Sequence, residues 1–195
     1  CPVGSDYPIA CPAGTYQDER GNNTCKACLS GHYCEVGTTT PVVCPVGHYC
    51  PSMTEYATEF PCPRGTYSNR LNLGSEDECT KCTPGSYCEE KGLTAPTGLC
   101  SEGFYCGLGS SVSNPHDSDP FHVSYVGETC VSMNAEAVND ICPPGHYCPE
   151  GSSGPLQCPP GTNTSSFGLS SISQCESCVK GYYCPLSGTV LATRK

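Results

Sequence analysis

The sequence is poor in the residues that build a hydrophobic core. Only 29 of its 195 residues are Leu, Val, Ile or Phe, and it contains no Trp. A chain in which these residues make up about 15%, and whose net charge is −10, would ordinarily be disordered. The composition therefore excludes an ordinary globular fold around a large apolar core.

Basic residues and long apolar runs are scarce as well. Nine Lys and Arg stand against 19 Asp and Glu, and this acidic balance argues against nucleic acid or an anionic membrane as a partner. No apolar run approaches the roughly 20 residues that a helix needs to cross a bilayer, so no membrane insertion is expected in this segment. The chain also lacks a nucleophile elbow, a phosphate-cradling glycine loop and a carboxylate pair on a defined element. We therefore expect no enzyme, no catalytic residue and no cofactor.

Cysteine, in contrast, is abundant. The chain has 20 Cys, 22 Gly and 19 Pro, a composition typical of scaffolds in which disulfides and turns replace buried apolar area. Because 20 thiols pair readily in an oxidising compartment, the expected localisation is extracellular or at the cell surface. Two N-x-S/T sequons, at Asn22 and Asn163, agree with this and are the predicted glycosylation sites.

Two cysteine elements recur along the chain. The motif G-x-Y-C occurs six times, each time closing a C-x5-C unit. These units are 28/34, 44/50, 82/88, 100/106, 142/148 and 178/184. A second element, C-P-x-G-T, begins at Cys11, Cys62 and Cys158 and leads to Cys25, Cys79 and Cys175, each of which starts a C-x2-C. Cys1 and Cys130 remain outside both elements.

The C-x2-C spacing is also the spacing of zinc ligands, so a metal site is the alternative to structural disulfides. The dense array of C-x5-C units favours disulfides, and no metal site is predicted. His32, His48 and His146 precede the Tyr of three G-x-Y-C motifs. Since the other three copies hold Ser, Phe or Tyr at that position, a ligand or catalytic base is not expected there.

The stretch "CPRGTYSNRLNLGSEDECTKCTPGSYC", residues 62–88, resembles the GCC2/GCC3 cysteine-rich repeat. That repeat is similar in spacing to the cysteine-rich modules of tumour-necrosis-factor receptors and of the ephrin-receptor ectodomain. The resemblance covers the chain except residues 107–129, and it implies secreted or surface proteins, often large repetitive ones of protists and invertebrates. One departure is that Asn163 stands where Tyr16 and Tyr67 match the family pattern.

The resemblance also implies a disulfide pattern. It pairs Cys11–Cys25, Cys62–Cys79 and Cys158–Cys175, and it further implies Cys28–Cys44, Cys34–Cys50, Cys82–Cys100 and Cys88–Cys106. Spacing alone cannot decide, because four cysteines already allow three connectivities. The partners of Cys1, Cys130, Cys142, Cys148, Cys178 and Cys184 stay open.

The predicted fold is a set of small disulfide-rich repeats, in which short β-hairpins and turns stack into an elongated rod with little helix and a minimal hydrophobic core. The Tyr of each G-x-Y-C is expected to cover a neighbouring disulfide with its ring. The predicted divisions are 1–10 (end of a preceding repeat), 11–61 (repeat 1), 62–106 (repeat 2), 107–129 (insertion loop), 130–157 (degenerate half-repeat) and 158–195 (truncated repeat 3).

Residues 107–129 interrupt the repeat and form its longest cysteine-free stretch. Long loops without a framework of their own are often functional, and Phe121, Val123, Tyr125 and Val126 cluster here as a candidate partner surface.

Two functions remain. The first is a structural extracellular protein, glycosylated, that forms a surface filament, appendage or coat by head-to-tail association of copies or as part of a longer repeat chain. The alternative is a rod-like receptor or adhesion ectodomain that presents a ligand-binding site.

Overall fold

The computed structural model describes residues 9–115 and 139–194. Cys1, Cys130 and the candidate partner surface at 121–126 lie outside the described residues. The chain divides into two compact parts: Cys1–Lys81 with Glu90–Ala95, and Cys82–Glu89 with Pro96–Lys195.

A C-x-x-G turn is the local unit from which both parts are built. In the first copy Thr15 N–H donates to Pro12 O (3.2 Å), and Gly14 at the third position of this turn has φ 77°. A type II turn requires positive φ at that position, which glycine adopts without steric cost. Among the described residues, C-x-x-G turns that open a hairpin start at Cys11, Cys28, Cys44, Cys62, Cys82, Cys100, Cys142, Cys158 and Cys178.

After eight of these nine turns, a two-residue strand pairs with a second two-residue strand further along the chain. The antiparallel pairs in the described ranges are β1 (Thr15–Tyr16) with β2 (Lys26–Ala27), β3 (His32–Tyr33) with β4 (Val42–Val43), β5 (Thr66–Tyr67) with β6 (Thr80–Lys81), β7 (Ser86–Tyr87) with β8 (Gly98–Leu99), β9 (Phe104–Tyr105) with β10 (Asp140–Ile141), β11 (His146–Tyr147) with β12 (Leu156–Gln157), β13 (Thr162–Asn163) with β14 (Glu176–Ser177), and β15 (Tyr182–Tyr183) with β16 (Thr193–Arg194). The third hairpin in chain order has a single bridge, His48 with Pro61. Within residues 9–115 and 139–194 the helices are two 3-10 turns, Glu76–Glu78 and Ile172–Gln174.

These hairpins, numbered one to nine in chain order, confirm the predicted class, a small disulfide-rich β-hairpin fold with almost no helix. Their strands are short because Gly and Pro between closely spaced cysteines interrupt pairing. The predicted rod form and the predicted repeat boundaries stay predictions.

Backbone hydrogen bonds join each hairpin to the next within a compact part. Gly14 N–H donates to Cys34 O (2.8 Å) of the second hairpin, and Gly14 O accepts from Cys28 N–H (2.8 Å). The same two bonds recur at Gly31, Gly47, Gly85, Gly103, Gly145 and Gly161. Because only main-chain atoms take part, the linkage requires the glycine of the turn but no particular side chain from its neighbours.

A second backbone link comes from the loop of the following hairpin. Gly37 N–H donates to Cys11 O (2.9 Å), and Gly37 has φ 78°. Two of the equivalent positions hold other residues with positive φ, Met53 (70°) and Asn72 (69°). Met53 N–H still donates to Cys28 O (3.0 Å) and Asn72 N–H to Cys44 O (3.0 Å), so the link is kept.

The buried interior consists mainly of cystine. Twelve cysteines have no exposed surface, and the buried Leu residues in the described ranges are Leu73 and Leu169. Leu73 packs with Cys62 and Cys79 in one cluster. Buried apolar area is thus supplied largely by the cross-links themselves.

The loop that opens the predicted insertion begins with regular contacts. Gly109 N–H donates to Cys82 O (2.8 Å), and Ser110 O accepts from Cys88 N–H (2.9 Å). These are the loop contacts of the other hairpins, so residues 109–110 belong to the repeating pattern.

Candidate functional sites: disulfides and sequons

All 18 cysteines of the described ranges are paired. The nine disulfides are Cys11–Cys25, Cys28–Cys34, Cys44–Cys50, Cys62–Cys79, Cys82–Cys88, Cys100–Cys106, Cys142–Cys148, Cys158–Cys175 and Cys178–Cys184.

Three of these pairs are the ones that the family resemblance implies. Cys11–Cys25, Cys62–Cys79 and Cys158–Cys175 each close the loop of one hairpin, with sequence separations of 14, 17 and 17 residues. Each bridge ties the start of the turn to the start of the second strand.

The four pairings between C-x5-C units are wrong. The resemblance implied Cys28–Cys44, Cys34–Cys50, Cys82–Cys100 and Cys88–Cys106, whereas each C-x5-C unit closes on itself. The physical reason is the glycine turn inside each unit, which brings the two Cα atoms to between 5.7 and 5.9 Å. That distance suits a disulfide, and the short loop costs little closure entropy.

Three positions equivalent to the second cysteine of a C-x5-C unit escaped the motif search. Gln17, Ser68 and Thr164 lie six residues after Cys11, Cys62 and Cys158. Ser68 and Thr164 are buried, as the cysteines at this position are. The motif C-x-x-G is present in all nine units, although it also occurs at Cys1, Cys34, Cys106 and Cys148.

The tyrosine prediction can be checked at the third hairpin. Tyr49 packs against the cluster that contains the Cys62–Cys79 bridge, and its ring centroid lies 5.6 Å from that of Phe60. Its hydroxyl donates to Glu76 Oε2 (3.2 Å). Burial, with the Glu76 carboxylate beside it, raises the pKa of Tyr49 above its ordinary value. Here a tyrosine covers a neighbouring disulfide as expected.

The three histidines of the GHYC motifs share one local contact. The Nδ1 of His32, His48 and His146 donates to the carbonyl two residues earlier, at 3.3, 3.2 and 3.0 Å. Each ring is half-buried. In the described part of the chain, no group of three or more His, Cys, Asp or Glu could hold a metal ion.

The sequon at Asn22 lies in the exposed loop between β1 and β2. Asn22 Oδ1 accepts hydrogen bonds from Asn23 N–H (2.8 Å), Thr24 N–H (3.3 Å) and Thr24 Oγ1–H (3.1 Å). Asn22 Nδ2 donates to Glu19 Oε2 (3.2 Å). The acceptor amide and the hydroxyl of the sequon are thus in direct contact at the surface.

The sequon at Asn163 lies in strand β13 instead. Asn163 pairs with Glu176 and is half-buried, with its Oδ1 3.9 Å from Cys178 Sγ. The next residue, Thr164, is 5% exposed and donates its N–H to Thr189 O (3.2 Å).

Two shallow depressions lie beside the first hairpin. Their volumes are about 190 and 260 Å³, and Ile9, Ala10, Cys11 and Gln17 line both. These volumes are below the roughly 300–1,000 Å³ of typical small-molecule pockets. Across residues 9–115 and 139–194, no helix has the length and apolar character needed to cross a membrane.

Comparison with known proteins identifies a family to which part of the chain is similar. A family model described as tyrosine-protein kinase ephrin type A/B receptor-like matches residues 4–43. No curated protein matches the chain. With the nine disulfides, this match defines an extracellular, disulfide-rich domain with an ephrin-receptor-like cysteine-rich module.

Proposed function

We propose that the chain is a structural extracellular protein of the GCC2/GCC3 repeat type, whose copies associate head to tail into a surface filament, appendage or coat. The observation that carries the proposal is the repeated backbone linkage between consecutive hairpins. Since it uses only main-chain groups around a glycine turn, hairpins of two different copies can form the same bonds.

The ninth hairpin offers a face for such a contact. At Gly145, in the seventh hairpin, a Cβ atom would overlap the carbonyl oxygen of Gly188, which belongs to the ninth hairpin. At the equivalent Gly161 and Gly181, of the eighth and ninth hairpins, a Cβ would meet nothing within 4 Å among the described residues, and Gly181 belongs to the hairpin whose turn makes no such backbone bonds among them. Tyr182 and Tyr183 beside it are 37% and 46% exposed. A contact of this kind between unlike faces does not close on itself and therefore builds a filament.

The proposal includes no catalysis, cofactor or metal. It also includes no nucleic-acid partner and no membrane insertion of this segment, in keeping with the net charge of −10. N-linked glycans, for which Asn22 and Asn163 are the candidate acceptors, would keep the assembly soluble.

Electron microscopy of secreted, non-reduced protein tests the assembly, with Gly181→Ala as the interface variant. Gly21→Ala is the matched control, since Gly21 also has positive φ (80°, against 89° at Gly181) and open space around its Cα. We expect filaments of regular repeat for the unaltered chain and the control, and their loss for Gly181→Ala. Particles that stay monomeric at high concentration, or filaments unaffected by Gly181→Ala, would overturn the proposal.

The ectodomain of a receptor or adhesion protein is the second candidate, favoured by the ephrin-receptor-like match at residues 4–43. In this case the hairpins would act as a spacer that presents a ligand site. Light scattering separates the two, because a receptor spacer is expected to remain a monomer at concentrations where a filament protein assembles.

A further inference from the structure

We propose that Asn22, rather than Asn163, carries the N-linked glycan, and that the first sugar of this glycan covers the Cys11–Cys25 disulfide and slows its reduction. The inference rests on the proposed extracellular function but not on filament assembly. On this proposal Asn22 is glycosylated, Asn163 is not, and the glycan protects the Cys11–Cys25 disulfide from reduction.

Asn22 is accessible in the folded domain. Asn22, Asn23 and Thr24 are all exposed, and Thr24 Oγ1–H donates to Asn22 Oδ1 (3.1 Å). The carbonyl of Thr24 accepts from Gln17 Nε2, which holds the loop against the first strand. The sequon can therefore be modified before or after the hairpin forms.

Asn163 becomes inaccessible once the eighth and ninth hairpins form. Its backbone is paired with Glu176, the middle residue of its sequon is buried, and its amide lies against Cys178. The flanking disulfides Cys158–Cys175 and Cys178–Cys184 fix this arrangement. We infer that folding competes with modification at Asn163 and leaves it unoccupied.

The sugar that is transferred to Asn22 comes from a lipid-linked glycosyl diphosphate donor. Asn22 Nδ2 attacks the anomeric carbon, a C–N bond forms, and the C–O bond to the diphosphate breaks. The amide proton is lost, and the lipid diphosphate leaves with the electron pair of the broken bond.

Among the nine disulfides of the described residues, Cys11–Cys25 is the one most open to external thiols. Cys25 is exposed, whereas both cysteines of Cys28–Cys34 and of Cys44–Cys50 have no exposed surface. A thiolate attacks Cys25 Sγ, the S–S bond breaks, and Cys11 leaves as a thiolate. The second thiol of a dithiol reductant then releases Cys25, so two electrons pass to the protein. The rate of such exchange depends on access to the attacked sulfur.

The glycan acceptor Asn22 and the exposed Cys25 both line the depression of about 190 Å³ beside the first hairpin. Its lining includes Asn22 and Cys25 together with Ile9, Ala10 and Pro12. A sugar ring on Asn22 Nδ2 can lie over this apolar floor and so cover Cys25 Sγ. The shielding therefore needs only the sugar attached directly to Asn22.

The first measurement is site occupancy in protein secreted from eukaryotic cells. Peptide N-glycosidase treatment in heavy-oxygen water converts a glycosylated Asn into labelled Asp, which mass spectrometry locates. We expect label at Asn22 and not at Asn163, and loss of the glycan in Asn22→Gln and in Thr24→Ala. An unoccupied Asn22, or an occupied Asn163, in secreted and fully oxidised protein would overturn the assignment while leaving filament assembly untouched.

The second measurement is the rate at which dithiothreitol reduces each disulfide, followed by thiol trapping and peptide mapping. Cys11–Cys25 should open severalfold more slowly in the glycosylated protein than in Asn22→Gln. Endoglycosidase trimming to a single N-acetylglucosamine should keep the protection. Asn163→Gln should leave the rate at Cys11–Cys25 unchanged. Equal rates with and without the glycan, or protection lost on trimming, would overturn the shielding role.

Discussion

Single residues in this chain act mainly through the backbone conformation that they permit. Each hairpin-to-hairpin link needs a left-handed residue in the turn and another in the following loop. Glycine adopts this conformation freely, whereas other L-residues lose roughly 1–2 kcal/mol there. Met53 and Asn72 keep the loop hydrogen bond despite that cost, and Asn tolerates the conformation better than Met does.

Replacing Met53 by glycine should therefore stabilise the protein. The side chain of Met53 is 57% exposed, so its removal sacrifices little packing. Relief of the left-handed strain, about 1–2 kcal/mol, exceeds the roughly 0.5–1 kcal/mol that the greater freedom of the unfolded chain costs. We therefore expect the free energy of unfolding in urea to rise by about 0.5–1 kcal/mol.

Val36→Gly is the matched control for this change. Val36 is also an exposed loop residue (68%), but it does not have positive φ. Glycine at this position should lower the free energy of unfolding by about 0.5–1 kcal/mol, because the unfolded chain gains freedom. A destabilising effect of both variants would contradict the account of Met53.

A second prediction concerns the acid side of the stability profile. Lys26 Nζ lies 2.6 Å from Asp18 Oδ1 and 3.0 Å from Glu19 Oε1, and its hydrogen bonds hold the pKa of both carboxyls below their ordinary values. A carboxylate with a lowered folded-state pKa contributes stability above its unfolded pKa, and that contribution is lost as pH falls through the folded value.

Lys26→Gln should thus show a smaller loss of stability than the unaltered chain between about pH 5 and pH 3. The difference is expected to be small, because the pair is exposed and screened by water. Lys91→Gln removes the same charge from another exposed lysine and should lose as much stability as the unaltered chain when the pH falls through the same range. Thermal melts across this pH range check the prediction, and parallel curves for Lys26→Gln and Lys91→Gln would refute it.

At the scale of one hairpin, two kinds of disulfide stabilise the fold. Cys28–Cys34 closes a separation of 6 residues within a turn, and Cys62–Cys79 closes one of 17 across a hairpin loop. The longer bridge also packs with Leu73 and Tyr49. On chain entropy alone the two bridges contribute about 2 and about 3 kcal/mol.

Removing each bridge as a pair of alanines tests this difference. Cys62→Ala with Cys79→Ala should lower the free energy of unfolding more than Cys28→Ala with Cys34→Ala, by about 1 kcal/mol from loop length alone. Urea unfolding with the other disulfides intact gives both values. A larger loss for the Cys28–Cys34 pair would show that loop length does not set the contribution.

Much of the hairpin structure was predictable from sequence, because short-range features of the sequence determine it. Cysteine spacing and the recurring glycine indicated hairpins, and the C-P-x-G-T element marked the three longer bridges. The four pairings between C-x5-C units, such as Cys28–Cys44, were wrong because the spacing of cysteines along the chain does not determine which sulfur atoms lie close together in the fold. That information lies in the turn geometry at Gly31 and its equivalents, which places the two cysteines of one unit together.

The candidate sites were less predictable than the hairpins. Both sequons are visible as motifs, but only the structure distinguishes the exposed loop at Asn22 from the strand at Asn163. Likewise, burial of Ser68 and Thr164 follows from their place in the repeat and not from their polarity.

At the scale of the whole molecule, cross-links take the place of a hydrophobic core. Each compact part contains consecutive hairpins joined by main-chain hydrogen bonds, and the largest fully buried side chains of the described residues are cysteines. The chain has too few large apolar residues to offset its conformational entropy by apolar burial alone. Loss of the disulfides should therefore remove the folded state altogether.

Amide correlation spectra of the secreted protein, recorded before and after complete reduction and alkylation in native buffer, test this claim most directly. The account predicts a well-dispersed spectrum for the oxidised protein and its collapse to the narrow range of an unfolded chain after alkylation. A dispersed spectrum that survives with every cysteine alkylated would contradict it, because a core independent of the disulfides would then hold the fold.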